Sequence, residues 1–352
     1  MTTTKKPLPP KKKSTTTAMF VKMPNLDEPV PVCRNIEKFQ IDNCNVQTYR
    51  NTGERHLLVP RETPYLFDES QLREISWAVW PHDGGDPSPV LLVGPKGCGK
   101  TSIVTQLASR CNMPVYRTNL TIGTSVQHLK GRRGAKDGST VFFPGVVVRA
   151  MEEGAWLILD EVSGATPNVA MSLFPILEPD GEVYLEEAEP QRYVRRHPDF
   201  RVFMTDNVIG AAQEENRFSY AGTNPDVNEA LLDRIHSTIQ CGYPPPAAEH
   251  AIVRARLKLG NDWDDHIKFV IVTANKIRAN PGASAFSMRM TLEWVRRIVA
   301  GRVDAGGVVY TLNPDQVLAA ADSAFLLKMR SAADRDLVHE VVRRQIAEIS
   351  GG

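Results

Sequence analysis

From Asp68 onward the apolar positions fall into two alternating rhythms. DESQLREISWAVW spaces them as one face of a helix behind an Asp cap. PVLLVG is a short continuous apolar run, as in a buried strand, and KTSIVTQLASR returns to helical spacing. The alternation continues. PVYRTNL, AWLILDE, FRVFMTDN and STIQCGY read as strands, and PGVVVRAMEEG, NVAMSLFPILE and NEALLDRI read as helices between them. Strands separated by helices predict an α/β fold: a mostly parallel sheet covered by helices on both faces. After Pro244-Pro245-Pro246 the strand signals largely stop. Segments 247–260, 263–279, 288–302, 314–329 and 333–349 carry helical spacing, which predicts a second, smaller α-helical domain behind the proline punctuation.

The first residues behave differently. Residues 1–18 are Lys, Thr, Ser and Pro without an acidic residue, a composition that cannot bury a core and predicts a disordered basic tail. Such a tail is either an arm that touches an acidic partner or a solvated end. Residues 19–67 form a small N-terminal segment whose apolar patches, broken by Pro and Asn, give a weak β signal. The core domain then spans 68–245 and the helical domain 246–352.

Composition narrows the classes of function. The net charge of +1 gives no whole-chain signature of nucleic-acid or membrane-surface binding. No apolar run approaches the ~20 residues needed to span a bilayer, and the N-terminus lacks the apolar segment of a secretory signal. Five cysteines without a CxxC pair fit a reduced, cytoplasmic protein.

The chemistry is concentrated at strand ends. Gly94-Pro95-Lys96-Gly97-Cys98-Gly99-Lys100-Thr101-Ser102 fits the P-loop pattern, follows a predicted strand and opens a predicted helix. Glycines there let backbone N–H groups cradle phosphate oxygens at a helix N-terminus. Lys100 is placed to reach the β and γ phosphates of ATP and Thr101 to ligate Mg²⁺. Cys98 fills a variable position of the loop, either as a small tolerated residue or as a redox-sensitive thiol. Trp156-Leu157-Ile158-Leu159-Asp160-Glu161 is an apolar strand ending in two carboxylates. Asp160 suits Mg²⁺ binding, and Glu161 suits orienting or deprotonating an attacking water, which favours hydrolysis. The bland alternative is a helix cap. A third strand ends in Asn207, which is a polar sensor of the γ-phosphate if the strand lies beside the other two, or a turn former if it does not. Arg234, in ALLDRI, is a candidate arginine finger for a neighbouring subunit, or else pairs locally with Glu229 or Asp233. Arg289, in FSMRMTLEW, is a candidate γ-phosphate contact from the lid side, or else belongs to a solvated face with Arg296 and Arg297. The hairpin GRRGAKDGSTVFF carries a Lys-Asp-Gly turn and a basic tip, with Arg132, Arg133 and Lys136 available to a substrate or simply to solvent.

Taken in this order, the P-loop, LILDE, the strand-terminal Asn207, LLDR and the Ser-Met-Arg helix resemble an AAA+ ATPase. The resemblance is closest to the MoxR branch, and within it to the CobS-type ATPase subunit of cobaltochelatase. VPRETPYLFDES (59–70), LKGRRGAKDGSTVFFPGVVVRAMEEGAWLILDE (129–161), LEPDGEVYLEE and RRHPDFRVFMTDNVIG (195–210) carry it, over about residues 58 to 300. The chain departs from the family in reading Ser287-Met288-Arg289 where Ser-Pro-Arg is frequent, and Thr205-Asp206-Asn207 at the sensor strand. The resemblance implies a P-loop NTPase core with a C-terminal helical lid and a helix interrupted by a hairpin before the Asp160 strand. It implies a hexameric homo-oligomeric ring in which Arg234 acts across the subunit interface and Arg289 closes on ATP. It further implies a partner with a von Willebrand A-type, CobT-like domain and, in the cobalt case, a large chelatase subunit that inserts the metal.

Two other classes compete with such a motor. A nucleic-acid motor or loader is disfavoured by the neutral charge and the lack of an aromatic-basic groove. An ATP-binding scaffold with little turnover is disfavoured by the presence of Glu161, Asn207 and Arg234.

Overall fold

The computed structural model describes residues 58–81, 85–207, 230–280, 283, 285–301, 303–304, 307–308, 313–329 and 331–350, together with two short strands, β1 (Phe20–Lys22) and β2 (Tyr49–Asn51), which pair antiparallel. The basic tail of residues 1–18 and most of the segment 19–57 lie outside the described residues.

The alternating rhythm resolves into a five-stranded parallel sheet. Its strands are β3 (Val90–Val93), β4 (Val115–Asn119), β7 (Trp156–Asp160), β10 (Arg201–Asp206) and β11 (Ser237–Gln240), in the order β11-β3-β10-β7-β4. Within β7, alternate residues face opposite sides. Leu157 and Leu159 join one core with α4 (Val146–Glu153) and α5 (Pro167–Leu177). Trp156 and Ile158 join another with α1 (Glu69–Val79) and α2 (Lys100–Cys111). Both faces are therefore covered, which is why these strands read as unbroken apolar runs. Trp156 is 1% exposed and lies 4.9 Å from the Phe203 ring and 5.9 Å from that of Trp80, so it ties β7 to β10 and to the end of α1. Burying a side chain of this size contributes on the order of 3 kcal/mol.

The helix signals hold with small shifts of boundary. Asp68 caps α1 by accepting from Gln71 N at 3.0 Å. The short helix α3 (Val126–Lys130) and α4 flank the hairpin of β5 (Gly131–Lys136) and β6 (Ser139–Pro144), so a helical stretch is interrupted by a hairpin before β7. Asp137 and Gly138, at φ 52° and 79°, form the two-residue turn expected of that hairpin. A second hairpin joins β8 (Glu182–Leu185) and β9 (Arg192–Arg195). Of the helix expected at NEALLDRI, residues 230–235 are described; 230–233 are helical and the helix ends before Arg234.

A separate apolar cluster runs from Val253 to Val342. It is built by α6 (Pro246–Leu257), α7 (Asp264–Arg278), α8 (Met288–Ala300), α9 (Pro314–Ala324) and α10 (Ala332–Ser350). Trp294 is its centre, edge-on to Phe269, Phe286 and Phe325, with its indole N–H donated to Val317 O at 3.1 Å. This region is not purely helical: Val303–Asp304 and Gly307–Val308 pair as a two-residue ladder that helical spacing did not signal.

Candidate functional site

The parallel sheet brings the polar strand ends to one edge. In parallel α/β sheets the carboxyl ends of strands, where loops turn into helices, form the usual ligand crevice. β10 lies between β3 and β7, with Asp206 opposite Val93 and Thr205 opposite Asp160. Asn207 therefore emerges between the P-loop and the Asp160-Glu161 carboxylates, the placement its sensor reading required. A cleft of about 990 Å³ opens there, lined among others by Lys96 to Ser102, Asp160, Glu161, Asn207 and Arg289.

The P-loop follows from its glycines. Gly97 holds φ +73° and lies so close to the start of α8 that a Cβ would meet Ser287 Cβ at 2.3 Å. At Gly94 the constraint is space: a Cβ would stand 2.0 Å from the Cys241 carbonyl oxygen on β11's exit. Replacing Gly94 by Ala must therefore push the P-loop off its neighbouring strand. The expected cost is about 3 kcal/mol, or roughly 6–12 °C in Tm by calorimetry. An unchanged Tm would show that the backbone yields there freely. Helix α2 starts at Gly99, in the left-handed region, with no side chain capping it. Its first N–H groups are thus left for a ligand.

Lys100 is 7% exposed. Its ammonium donates to Gly94 O at 2.8 Å, Pro95 O at 2.9 Å and Asn207 Oδ1 at 2.9 Å. All three acceptors are neutral, so a buried cation stands without a carboxylate among these partners. That is the chemistry of a site built for an anion, and it fits phosphate. Gly94 and Pro95 thus stand behind the loop, holding the lysine. Thr101 Oγ1 donates to Asp160 Oδ1 at 2.7 Å, which brings the two groups read as Mg²⁺ ligands side by side. Hydroxyl and carboxylate oxygens are the donors this hard cation takes. Asp160 is 5% exposed and accepts from Thr205 Oγ1 at 2.8 Å on the same oxygen, while Arg117 on β4 pairs with its other oxygen.

Glu161 adopts φ 57°, ψ 56°, a left-handed conformation costly for a non-glycine residue. It stands at the cap position of a short 3₁₀ turn, Val162–Gly164, yet its side chain makes no capping hydrogen bond. Its side chain is therefore no helix cap, and the residue lines the cleft. The turn behind it is fixed by Asp206, which accepts from Ser163 N and Ser163 Oγ at 3.0 Å each. Burial pushes the Cys98 thiol up, against the pull of Lys100, so it stays protonated near neutrality and suits a filler better than a reactive thiolate.

Arg289 lines the cleft from the start of α8, whereas Arg296 and Arg297 pair with Glu293. Arg234 is not brought to this cleft. Its guanidinium pairs with Glu178 at 2.9 Å and lies 4.3 Å from the Phe174 ring centroid. The local partner is thus Glu178, not Asp233, while Glu229 lies outside the described residues. Arg133 is likewise engaged, donating to Glu187 O at 2.6 Å and so tying the two hairpins together.

Sequence reasoning missed the rest of the cleft. Tyr65, Phe67, Tyr243, Pro244, Pro245 and Ile252 also line it and add apolar surface of the kind a planar base takes. The prolines had signalled only punctuation. Arg117 was also missed; an arginine inside the strand VYRTN was the available signal.

Comparison with known proteins agrees with this geometry. Residues 89–234 match the AAA domain, dynein-related subfamily. The chain is 32% identical over 201 residues to the aerobic cobaltochelatase subunit CobS of Sinorhizobium sp, covering 55% of this chain and 57% of that protein. It is 40% identical over 101 residues to protein NorQ of Paracoccus denitrificans (strain Pd 1222), covering 29% of this chain and 37% of that one. It is 34% identical over 165 residues to midasin of Dictyostelium discoideum, covering 45% of this chain and 3% of that one. The chain therefore spans little more than half the length of CobS and far less of the other two. The P-loop and the strand-end carboxylates thus fall within the segment, residues 89–234, that matches the AAA domain, and the chain is similar to CobS and NorQ.

Proposed function

We propose that this protein is an ATP-hydrolysing ring motor of the MoxR/CobS type that remodels a protein partner, as a cobaltochelatase-like complex requires for metal insertion. The observation that carries the proposal is Glu161, an uncapped carboxylate held in a left-handed turn on the same cleft as the P-loop and the Thr101–Asp160 pair.

In this reading Lys100 compensates the β and γ phosphates, and Thr101 with Asp160 would hold Mg²⁺, which when bound would draw charge from those phosphates. Glu161 takes the proton of the attacking water. Asn207, which accepts from Lys100, positions that water, and Arg289 contacts the γ-phosphate from the lid. Residues 68–245 are the ATPase core and 246–352 the lid. Arg234 stands away from its own chain's cleft, which leaves it for a neighbouring copy's site in a ring, hexameric in this reading; the proposed place of work is the cytoplasm. Hydrolysis then alters the core–lid arrangement and moves the two hairpins that Glu187 joins.

The partner is tested by affinity capture. The Glu161→Gln protein, stalled with ATP, should retain a von Willebrand A-type protein or a large chelatase subunit, and Lys100→Ala should retain neither. Recovery of nucleic acid or replication proteins in place of these would overturn the reading.

A further inference from the structure

Behind the cleft wall, and not on it, lies a buried charge that the proposed chemistry does not use. Glu249 on α6 is fully buried and the Arg278 side chain, at the end of α7, is 8% exposed. They form a bidentate pair at 2.7 and 2.9 Å. Thr291 on α8 donates to Glu249 Oε1 at 3.0 Å and accepts from Arg278 Nη2 at 3.2 Å. The remaining nitrogen, Arg278 Nε, donates to Phe286 O at 2.9 Å, three residues before Arg289. A buried pair is poor evidence for added stability, since apolar residues of similar size often serve as well. The geometry here specifies position instead.

The contacts close into a ring. The guanidinium lies 4.1 Å from the Tyr243 ring centroid. Tyr243 OH donates to the P-loop carbonyl Lys96 O at 2.9 Å. On the other side Arg278 holds Phe286 O, and two residues on Met288 N donates to the next P-loop carbonyl, Gly97 O, at 3.2 Å. Both arms of Arg278 thus end on adjacent peptides of the loop that cradles phosphate.

We propose that Arg278 is the positioning residue that sets Arg289 and Tyr243 against the P-loop, so that phosphate binding and lid position are coupled through it. The inference rests on the nucleotide reading above. It acts through other residues and touches no nucleotide itself. A lysine at this position keeps the charge beside Glu249 but cannot hold the carboxylate, Phe286 O and Thr291 together.

The test is a double-mutant cycle of Arg278→Lys and Arg289→Ala, read as ATP Kd by calorimetry and as kcat and KM. Arg278→Lys alone should weaken ATP binding about tenfold, and in the Arg289→Ala background it should add no more than about threefold, the share that the Tyr243 arm carries. Tyr243→Phe, which removes only the hydroxyl, provides a gentler second arm and should weaken binding about threefold. It also keeps the test informative if Arg278→Lys does not fold. Multiplicative losses in the cycle, or ATP affinity unchanged in either single variant, would overturn the proposal. A parent protein that binds ATP without turnover would sink the hydrolytic reading, while the cycle run on Kd alone would still decide the role of Arg278.

Discussion

Glu161→Gln should bind ATP as tightly as the parent and hydrolyse it about 10³-fold more slowly, the range a positioned general base supplies. The substitution is close to isosteric and removes only the ability to take a proton. The features that place residue 161 survive it. The backbone stays in its left-handed turn, and Asp206 still accepts from Ser163 N and Oγ behind it. The Glu161 side chain caps nothing, so thermal stability should move by no more than about 0.5 kcal/mol. The measurement is single-turnover hydrolysis with calorimetric Kd on the same preparation. A rate within tenfold of the parent would remove Glu161 from the chemistry. A loss of ATP affinity instead would make it a binding group.

How much of this was legible beforehand depends on whether a feature is local. β7 and the P-loop could be read because each is one continuous stretch whose period and turn chemistry agree with its final environment. The same holds for the hairpin turn at Asp137-Gly138, where a two-residue loop demands positive φ. Asn207 was different. Its sensor reading depended on strand order, and only the placement of β10 between β3 and β7 satisfies it. Arg117, Tyr243 and Arg278 could not be found from spacing at all. Their roles rest on contacts distant in sequence: Arg117 with Asp160 across 43 residues, Tyr243 with Lys96 across 147, and Arg278 behind the cleft wall with Glu249 across 29. Arg234 shows the converse. Its sequence context offered an arginine finger or a pair with Glu229 or Asp233, and tertiary packing pairs it with Glu178.

Removing the charge at Lys100 should separate two effects that the parent combines. The ammonium is buried against three neutral oxygens, so without an anionic partner it keeps part of its desolvation cost. Lys100→Met keeps most of the stem without the charge, and should leave the unliganded Tm equal to or above that of the parent. Both Lys100→Met and Lys100→Ala leave Gly94 O, Pro95 O and Asn207 Oδ1 without their donor, and Lys100→Ala loses the stem as well. For both variants the ATP Kd should rise about 100-fold, because a charge-assisted contact to phosphate has gone. Lys100→Arg should not restore it, since a planar guanidinium does not replace the compact ammonium in that loop. Linkage makes the result visible without turnover. At a concentration 100 times the parent's Kd, ATP stabilises the parent by about 2.7 kcal/mol, whereas at the same concentration a 100-fold weaker variant gains only about 0.4 kcal/mol. The thermal upshift with ATP should therefore nearly vanish in Lys100→Met while its unliganded Tm does not fall. An upshift equal to the parent's would mean that the phosphates are held by the backbone of the loop alone. A lower unliganded Tm in Lys100→Met would mean that the ammonium serves the empty fold more than the ligand.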